Sequence, residues 1–435
     1  MKTLDQIAAE LQGYDPQALS AGQVLDFLSR LVMPVQDALE LPLMQAFGRV
    51  LASDVVSPFD VPPHDNSAMD GYAFDGSQLA AGTALELQVA PGTALAGKAW
   101  QGSVQPGKCV KIMTGAIMPP GLDTVVPQEF ISVRTGAGNA EFITIPPKLL
   151  GAGDNRRLRG EDLMQGRPAL QKGELLTPAR LGLAASLGLK TLSTWRPLRV
   201  AYFSTGDEIL SLGEAPREGA VYDSNRYTVF GMLSRLGCEV IDMGVVRDDP
   251  ALLEAAFTEA AARADAIITS GGVSVGEADF TKAMMKKLGD VAFWRIAMRP
   301  GRPMAVGRIP ATKGGNPNGA ILFGLPGNPV AVMVTFLAFV RPALLQMMGA
   351  GAESPLLLKA RSTEAIRKKA GRTEYQRGWV STAPDGSLQA KTTGSQGSGV
   401  LRSMAEANGL IVLHHAQGNV AVGDEVDVLM FEGAI

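Results

Sequence analysis

ADAIITSGGVSVGEADF, residues 264–280, is the stretch that decides how this chain folds. Its apolar run AIIT reads as a strand buried on both faces of a parallel sheet. The strand stops at Gly271 and Gly272, and the loop closes on Glu277 and Asp279 before a helix over about 279–288. Glycines at a strand end turn backbone amides toward an anion. The spacing is not GxGxxG and the loop has no lysine, so neither the dinucleotide fingerprint nor the P-loop applies. The amides of Gly271, Gly272 and Gly276 and the hydroxyls of Ser270 and Ser274 are the groups on offer. A tight turn that needs glycine only for its φ freedom is the plainer alternative, with Asp279 then capping the next helix.

The same strand, loop and helix order recurs on both sides. LRVAYFSTG (198–206) is an apolar strand ending in glycine, SNRYTVFGMLSRLG (224–237) a helix with a glycine stop, and CEVIDMGVV (238–246) the next strand. Asp249 and Pro250 open a helix to Arg263 in the cap-then-proline order that helices favour. Strands around 291–297 and 304–309, AILFG at 320–324, and a helix from Asn328 and Pro329 to about Met348 complete the region. This alternation over 197–347 predicts a mostly parallel, doubly wound α/β sheet. Ligands of such sheets bind beyond the carboxyl ends of the strands. The loops leaving those ends are STGDE (204–208), RDD (247–249), SGGVSVGEAD (270–279) and GLPGNP (324–329).

Those loops are rich in acids. Asp249 is spent on its cap, but Glu208, Asp248 and Asp279 have no helix-stop or pairing role legible in the sequence. Carboxylates from separate strand ends beside an anion nest suit a hydrated Mg²⁺, which takes a few carboxylates plus substrate phosphates. Solvated loop acids are the alternative. RPGRP (299–303) holds Arg299 and Arg302 between prolines as a rigid oxyanion clamp, with Arg295 beside it, a surface basic turn being the alternative. GLPGNP leaves a strand for a helix, so its amides also face an anion, and Pro326, Asn328 and Pro329 shape the turn. This set implies metal-assisted chemistry on a phosphorylated ligand. His64, His414 and His415 lie outside the region, which argues against a serine or cysteine triad.

The flanks differ in texture. Residues 20–50 read as helical from a Ser20 cap, 53–150 as short β runs between Gly/Pro turns, and 151–162 as a connector. A helix follows Thr177 and Pro178, and after Ser354 the chain is β-rich, with a hairpin at Asp385-Gly386 and further strands around Gly418-Asn419. At 435 residues the chain exceeds what one core usually serves. Its 40 Lys+Arg against 43 Asp+Glu leave no basic footprint for nucleic acid or a membrane surface. Cys109 and Cys238 read as buried free thiols. MKTLDQIAAE has no apolar stretch of a signal peptide, and VAVMVTFLAFV (330–340) is shorter than a bilayer span, so a cytoplasmic protein is expected.

Taken together, TSGGVSVGEADF, FSTGDE, YDSNR, VVRDDP, RPGRP and GLPGNPV, with DVPPHDNSAMDGYAF (60–74), KIMTGAIMP (111–119) and RRLRGED (156–162), resemble the molybdopterin molybdenumtransferase family. Its members include the bacterial MoeA proteins and the E domains of a plant homologue and of gephyrin. The motifs run in order from about residue 45 to 430. The resemblance implies a homodimer of elongated four-domain subunits. The expected domains are 1–45 with 151–195 (elongated, helical), 46–150 (an inserted small β domain), 196–350 (the molybdopterin-binding α/β domain) and 351–435 (a β-barrel-like domain). It also implies a reaction in which molybdate and adenylylated molybdopterin give molybdenum cofactor and AMP with Mg²⁺. Ser270, Gly271 and Gly272, with the Pro326–Pro329 turn, would hold the pterin phosphate and AMP. Glu208, Asp248 and Asp279 would serve Mg²⁺ and the anhydride.

By motif match, Arg299, Arg302 and Ser274 would hold molybdate, with Arg372 and Ser398 of the C-terminal domain. Asp70 and Thr114 match functional positions of the β domain, which the family architecture places across the dimer cleft. Many relatives carry lysine in the turn that here reads RPGRP. Molybdopterin adenylyltransferase and molybdoenzyme maturation proteins are the implied partners. Two other readings stand beside this one: a molybdopterin adenylyltransferase or nucleotide pyrophosphatase on the same sheet, and a non-catalytic gephyrin-like scaffold. The intact acidic motifs and the lack of a long linker argue for the transferase.

Overall fold

A computed structural model describes residues 2–273, 280–311, 316–351 and 355–431. The chain divides into two compact units. The first holds 1–52, 173–177 and 192–435, and the second holds 53–172 and 178–191.

The first unit is built on a six-stranded sheet. From one edge to the other it runs Glu239–Val246, Arg199–Thr205, Ala266–Ser270, Ala320–Leu325, Pro303–Ile309 and Asp290–Arg295. The first four strands are parallel, and the last two are antiparallel additions. Because side chains alternate, each strand feeds two cores. Val200, Tyr202, Ile268 and Phe323 pack on one side with the helices Ser224–Arg235 and Pro329–Met347. Ala201, Phe203, Ile267 and Leu322 pack on the other with Pro250–Arg263 and Phe280–Leu288. The doubly wound α/β fold expected from the apolar runs is present. Asp249 caps its helix through the amides of Ala251 (2.9 Å) and Leu252 (3.0 Å).

The helix Pro329–Met347 is long and apolar enough to cross a bilayer by length and composition. In this fold 72% of its most apolar window is buried, so it serves as a core helix. Near the N-terminus the expected helix is shorter than the sequence suggests. Ser20 caps Ala21–Leu31, and Pro34 then forces an extended path into the strand Ala38–Pro42. Phe27 on that helix meets Trp294 edge-on at 4.8 Å.

At the C-terminal end the chain forms a closed five-stranded barrel. Its ring is Thr373–Thr382, Leu388–Thr392, Leu358–Ser362, Glu425–Met430 and Gly409–Leu413, which returns to Thr373–Thr382. The hairpin turns at Asp385-Gly386 as its composition predicts, with Gly386 at φ 85°. Gly418 and Asn419 lie within a longer connection between Leu413 and Glu425. A short strand, Met298–Arg299, joins the barrel by pairing with Thr373 and Glu374.

The second unit carries another six-stranded sheet, in the order Thr124–Pro127, Gly71–Phe74, Lys108–Ile112, Leu85–Ala94, Glu141–Ile145 and Ser132–Thr135. Its two faces bury separate apolar clusters around Val110 and around Phe74. The helix Pro178–Ser186 belongs to this unit.

Candidate active site

The carboxyl ends of the four parallel strands, at Thr205, Val246, Ser270 and Leu325, form one end of the sheet. Arg295 and Pro303 pair at that same end, because the two added strands alternate in direction. The loops singled out in the sequence therefore start from a common edge.

Ser270 lies beneath that edge and is 2% exposed. Its Oγ is 2.7 Å from Tyr202 Oη and 3.2 Å from Ser204 Oγ, closing a buried ring of hydroxyls. The hydroxyl is thus used within the protein. Gly271 donates its amide to the Leu325 carbonyl at 3.1 Å, which ties two strand ends together. It sits at φ 96°, and a Cβ there would lie 2.5 Å from the Thr205 carbonyl oxygen. Gly272 (φ 65°) is pressed equally close to Thr281. Both glycines are dictated by left-handed backbone and close packing. Ser274 and Asp279 lie outside the described residues.

The acids of the neighbouring loops come together in part. Glu208 folds back so closely over Gly206 that a Cβ there would lie 2.4 Å from its Oε2. The Asp248 amide donates to Asp207 Oδ1 at 3.4 Å, joining the two loops. Glu208 and Asp248 are exposed. Among the described residues, no group of three or more His, Cys, Asp or Glu side chains is arranged to hold a metal.

Asp223 and Asn225 of the YDSNR motif, given no role from sequence, complete this end. Asp223 caps the helix Ser224–Arg235 through the Arg226 amide, and Asn225 Nδ2 donates to the Gly327 carbonyl at 2.7 Å. That second bond pins the GLPGNP turn. Asn328 precedes the helix at Pro329, and its side chain makes no cap bond.

The arginine turn is seated against the first two turns of that helix. A Cβ at Gly301 would lie 2.4 Å from Thr335 Oγ1, so only glycine lets the turn approach. Arg302 accepts the Ile296 amide on its carbonyl at 2.7 Å. Arg299 lies in the short strand paired with Thr373 and Glu374, which puts it next to the barrel. Arg372 is bound there to Glu374 (Nε–Oε1 2.8 Å, Nη2–Oε1 2.7 Å), a carboxylate that is 2% exposed and also accepts from Gln376 Nε2 at 3.1 Å. Ser398, on the barrel loop, accepts the Val330 amide on its carbonyl at 3.2 Å. Arg299 and Arg372 therefore share Glu374 as a neighbour, and Ser398 is bonded to the helix start. Arg295 lies at the same end of the sheet, its backbone bonded to Pro16 and Leu19.

In the second unit Asp70 and Thr114 are direct partners. Asp70 Oδ1 accepts from the Thr114 amide and from Thr114 Oγ1, both at 2.7 Å. The backbone bond first, and the hydroxyl second, hold the Asp70 carboxyl below its ordinary value. Since the depressed value favours the folded state, this contribution is present above the ordinary carboxylate range and is lost as pH falls through the folded value. Thr114→Val removes only the weaker contributor. A carboxyl NMR titration should show Asp70 moving part of the way back, still below an unperturbed aspartate; a full return would put the hydroxyl first. Nearby, Arg156–Arg157 pairs with Asn66–Ser67, and Arg159 Nε meets Asp60 Oδ2 at 2.5 Å. The motifs at 60–74 and 156–162 thus face each other.

Comparison with known proteins gives the family. Residues 19–188 match the MoeA N-terminal region (domain I and II), 201–346 a probable molybdopterin binding domain, and 359–431 the MoeA C-terminal region (domain IV). The molybdopterin molybdenumtransferase of Haemophilus influenzae is 40% identical over 405 residues, covering 93% of this chain and 96% of its own. The chain belongs to the molybdopterin molybdenumtransferase family. That of Nostoc sp. is 36% identical, covering 91% and 89%. Among solved structures, the molybdopterin biosynthesis moeA protein of Pyrococcus horikoshii matches with a TM-score of 0.77 at 27% identity, over 95% of this chain and all of that one. For this molybdenumtransferase family member, the arginine and barrel residues are the part of the candidate site that spacing alone could not assemble. Glu374 and Arg377 went unnoticed in the sequence; the signal was RTEYQRG, charged residues at positions a barrel strand buries.

Proposed function

We propose that this chain is a molybdenum insertase of molybdenum cofactor biosynthesis, transferring molybdate into adenylylated molybdopterin and releasing AMP. The observation that supports it is the placement of Arg299 and Arg372 beside Glu374 where the sheet meets the barrel, with Ser398 bonded to the start of the helix Pro329–Met347. Planar guanidinium groups beside a helix N-terminus suit a tetrahedral oxyanion such as molybdate. Arg302 and Arg295, at the same end of the sheet, would widen the positive field.

Exposed Glu208 and Asp248, on loops joined through Asp207, fit a Mg²⁺ that keeps most of its water and takes phosphate oxygens. Asp279 would be the third carboxylate. When bound, the metal would neutralise charge developing on the phosphoanhydride as it is cleaved. The chain's residues do the rest. With the Gly271 amide and the Ser270 hydroxyl already bonded within the protein, the Pro326–Pro329 turn and the loop beyond Gly271 would seat the phosphorylated ligand, and the arginines would orient molybdate toward the pterin's sulfur atoms.

We further propose that the protein acts as a homodimer in which the Asp70–Thr114 corner of a second copy completes the cleft. A cytoplasmic molybdopterin adenylyltransferase would supply the substrate and molybdoenzyme maturation proteins would take the product.

The test is incubation of purified protein with adenylylated molybdopterin, Mg²⁺ and molybdate, following AMP. Wild type should release AMP in a molybdate-dependent way, and Asp279→Ala should lose most of that rate. Absence of release, with the two proteins indistinguishable, would sink the insertase reading.

A further inference from the structure

The barrel buries a positive charge that the proposed reaction does not yet use. Arg377, on the strand Thr373–Thr382, is 1% exposed. Its Nε donates to Ser403 Oγ at 3.0 Å, and its Nη2 to the carbonyls of Ser395 (3.3 Å) and Gly397 (3.0 Å). All of these acceptors are neutral. The adjacent carboxylate, Glu374, is ion-paired with Arg372, and among the described residues no carboxylate pairs with Arg377. A buried ion without a counter-ion is costly, so its retention needs a reason.

Two further observations supply one. Arg377 and Arg299 line a single small cavity of about 20 Å³ with Glu374, Tyr375 and Gln396. Burial first, and then the like charge of Arg299, push the Arg377 guanidinium down to about 10. Arg377 also organises the loop that wraps it. Its amide donates to Gln396 Oε1 at 2.8 Å, and its carbonyl accepts from Gln396 Nε2 (3.2 Å) and the Thr393 amide (3.0 Å). The next residue after this grip is Ser398, whose carbonyl meets the Val330 amide.

We propose that Arg377 is a positioning residue of the oxyanion cradle, fixing the 395–397 loop so that Ser398 stays at the helix start, and that its charge is balanced when an oxyanion occupies the cradle beside Arg299. This rests on the molybdate reading of the site. An anion that completes a buried charge also stabilises the fold that holds it, so binding is readable without turnover.

The experiment uses the full chain and molybdate alone as probe, in thermal unfolding, together with KM and kcat in the AMP-release assay. Wild type should be stabilised by molybdate. Arg377→Met should lose that stabilisation and raise the molybdate KM roughly tenfold or more, with kcat changing less, as for loss of a charge-assisted contact. Arg377→Lys, which keeps the charge and loses the fork, should fall between the two. If Arg377→Met does not fold, the Lys variant decides, and a molybdate KM equal to wild type overturns the proposal. Equal molybdate stabilisation in wild type and Arg377→Met, with AMP still released, overturns it too and leaves the insertase reading intact. Wild type that neither responds to molybdate nor releases AMP removes both.

Discussion

Asp265→Ala is expected to cost the unit carrying the central sheet about 3–5 kcal/mol, the range for removing one partner of a buried ion pair. Asp265 stands just before the central strand Ala266–Ser270, and its side chain is 4% exposed. Its carboxylate takes both ends of the Arg196 fork, Nη1 at 2.7 Å and Nη2 at 2.8 Å, and also the Arg199 amide at 2.9 Å. Arg196 is mostly buried, and the bidentate bond to Asp265 is the main reason its guanidinium is held above the usual arginine value. Alanine strands that guanidinium with exposed Asp37 as its remaining ion-pair partner and leaves a strand amide unpaired. Urea unfolding followed through Trp294, itself 2% exposed in the same unit, should report the loss. Asp265→Leu combined with Arg196→Met should be less damaging than Asp265→Ala, because it removes both charges together. A double variant as unstable as the single would mean that packing, not the uncompensated charge, sets the cost.

How much of this was legible in the sequence depends on how far apart the interacting residues lie. The sheet was readable because Val200–Phe203, Ala266–Ile268 and Ile321–Phe323 are uninterrupted apolar runs, which is what burial on both faces requires. The Asp249 cap was readable because its partners lie two and three residues away. Beyond Leu31 a leucine-rich stretch kept a helical appearance that Pro34 overrides. The loop glycines were recognised as special, yet an amide nest and a packing requirement look alike in sequence. In the fold, the Gly271 amide goes to Leu325 and the missing Cβ makes room for Thr205. Arg372 and Ser398 could not be placed from spacing at all. Barrel closure and the pairing of Met298–Arg299 with Thr373–Glu374 bring them to the sheet, so only the family resemblance pointed to them. Arg377 had neither spacing nor resemblance to mark it, only its place in a charged run that a barrel strand buries.

Arg299→Ala is expected to lower kcat/KM for molybdate roughly 10- to 100-fold, the loss that follows when a charge-assisted contact to an anion is removed. Arg299 is exposed on the turn that Gly301 seats against Thr335, and its backbone is held in the barrel's strand pairing, so the turn should survive the truncation. Two effects oppose each other. Removing Arg299 takes a positive charge from the proposed oxyanion, and it also relieves the like-charge pressure on buried Arg377. The direct contact should win, because the effect on Arg377 is indirect and acts across a cavity. Activity should therefore fall while thermal stability stays the same or rises slightly. Arg299→Lys separates charge from shape. Retention of most activity would mean the site needs a cation, whereas a loss near that of alanine would mean it needs the planar fork. If Arg299→Ala left the molybdate KM and kcat at wild-type values, the oxyanion would have to be placed elsewhere, with Arg302 and Arg372 the next arginines to truncate.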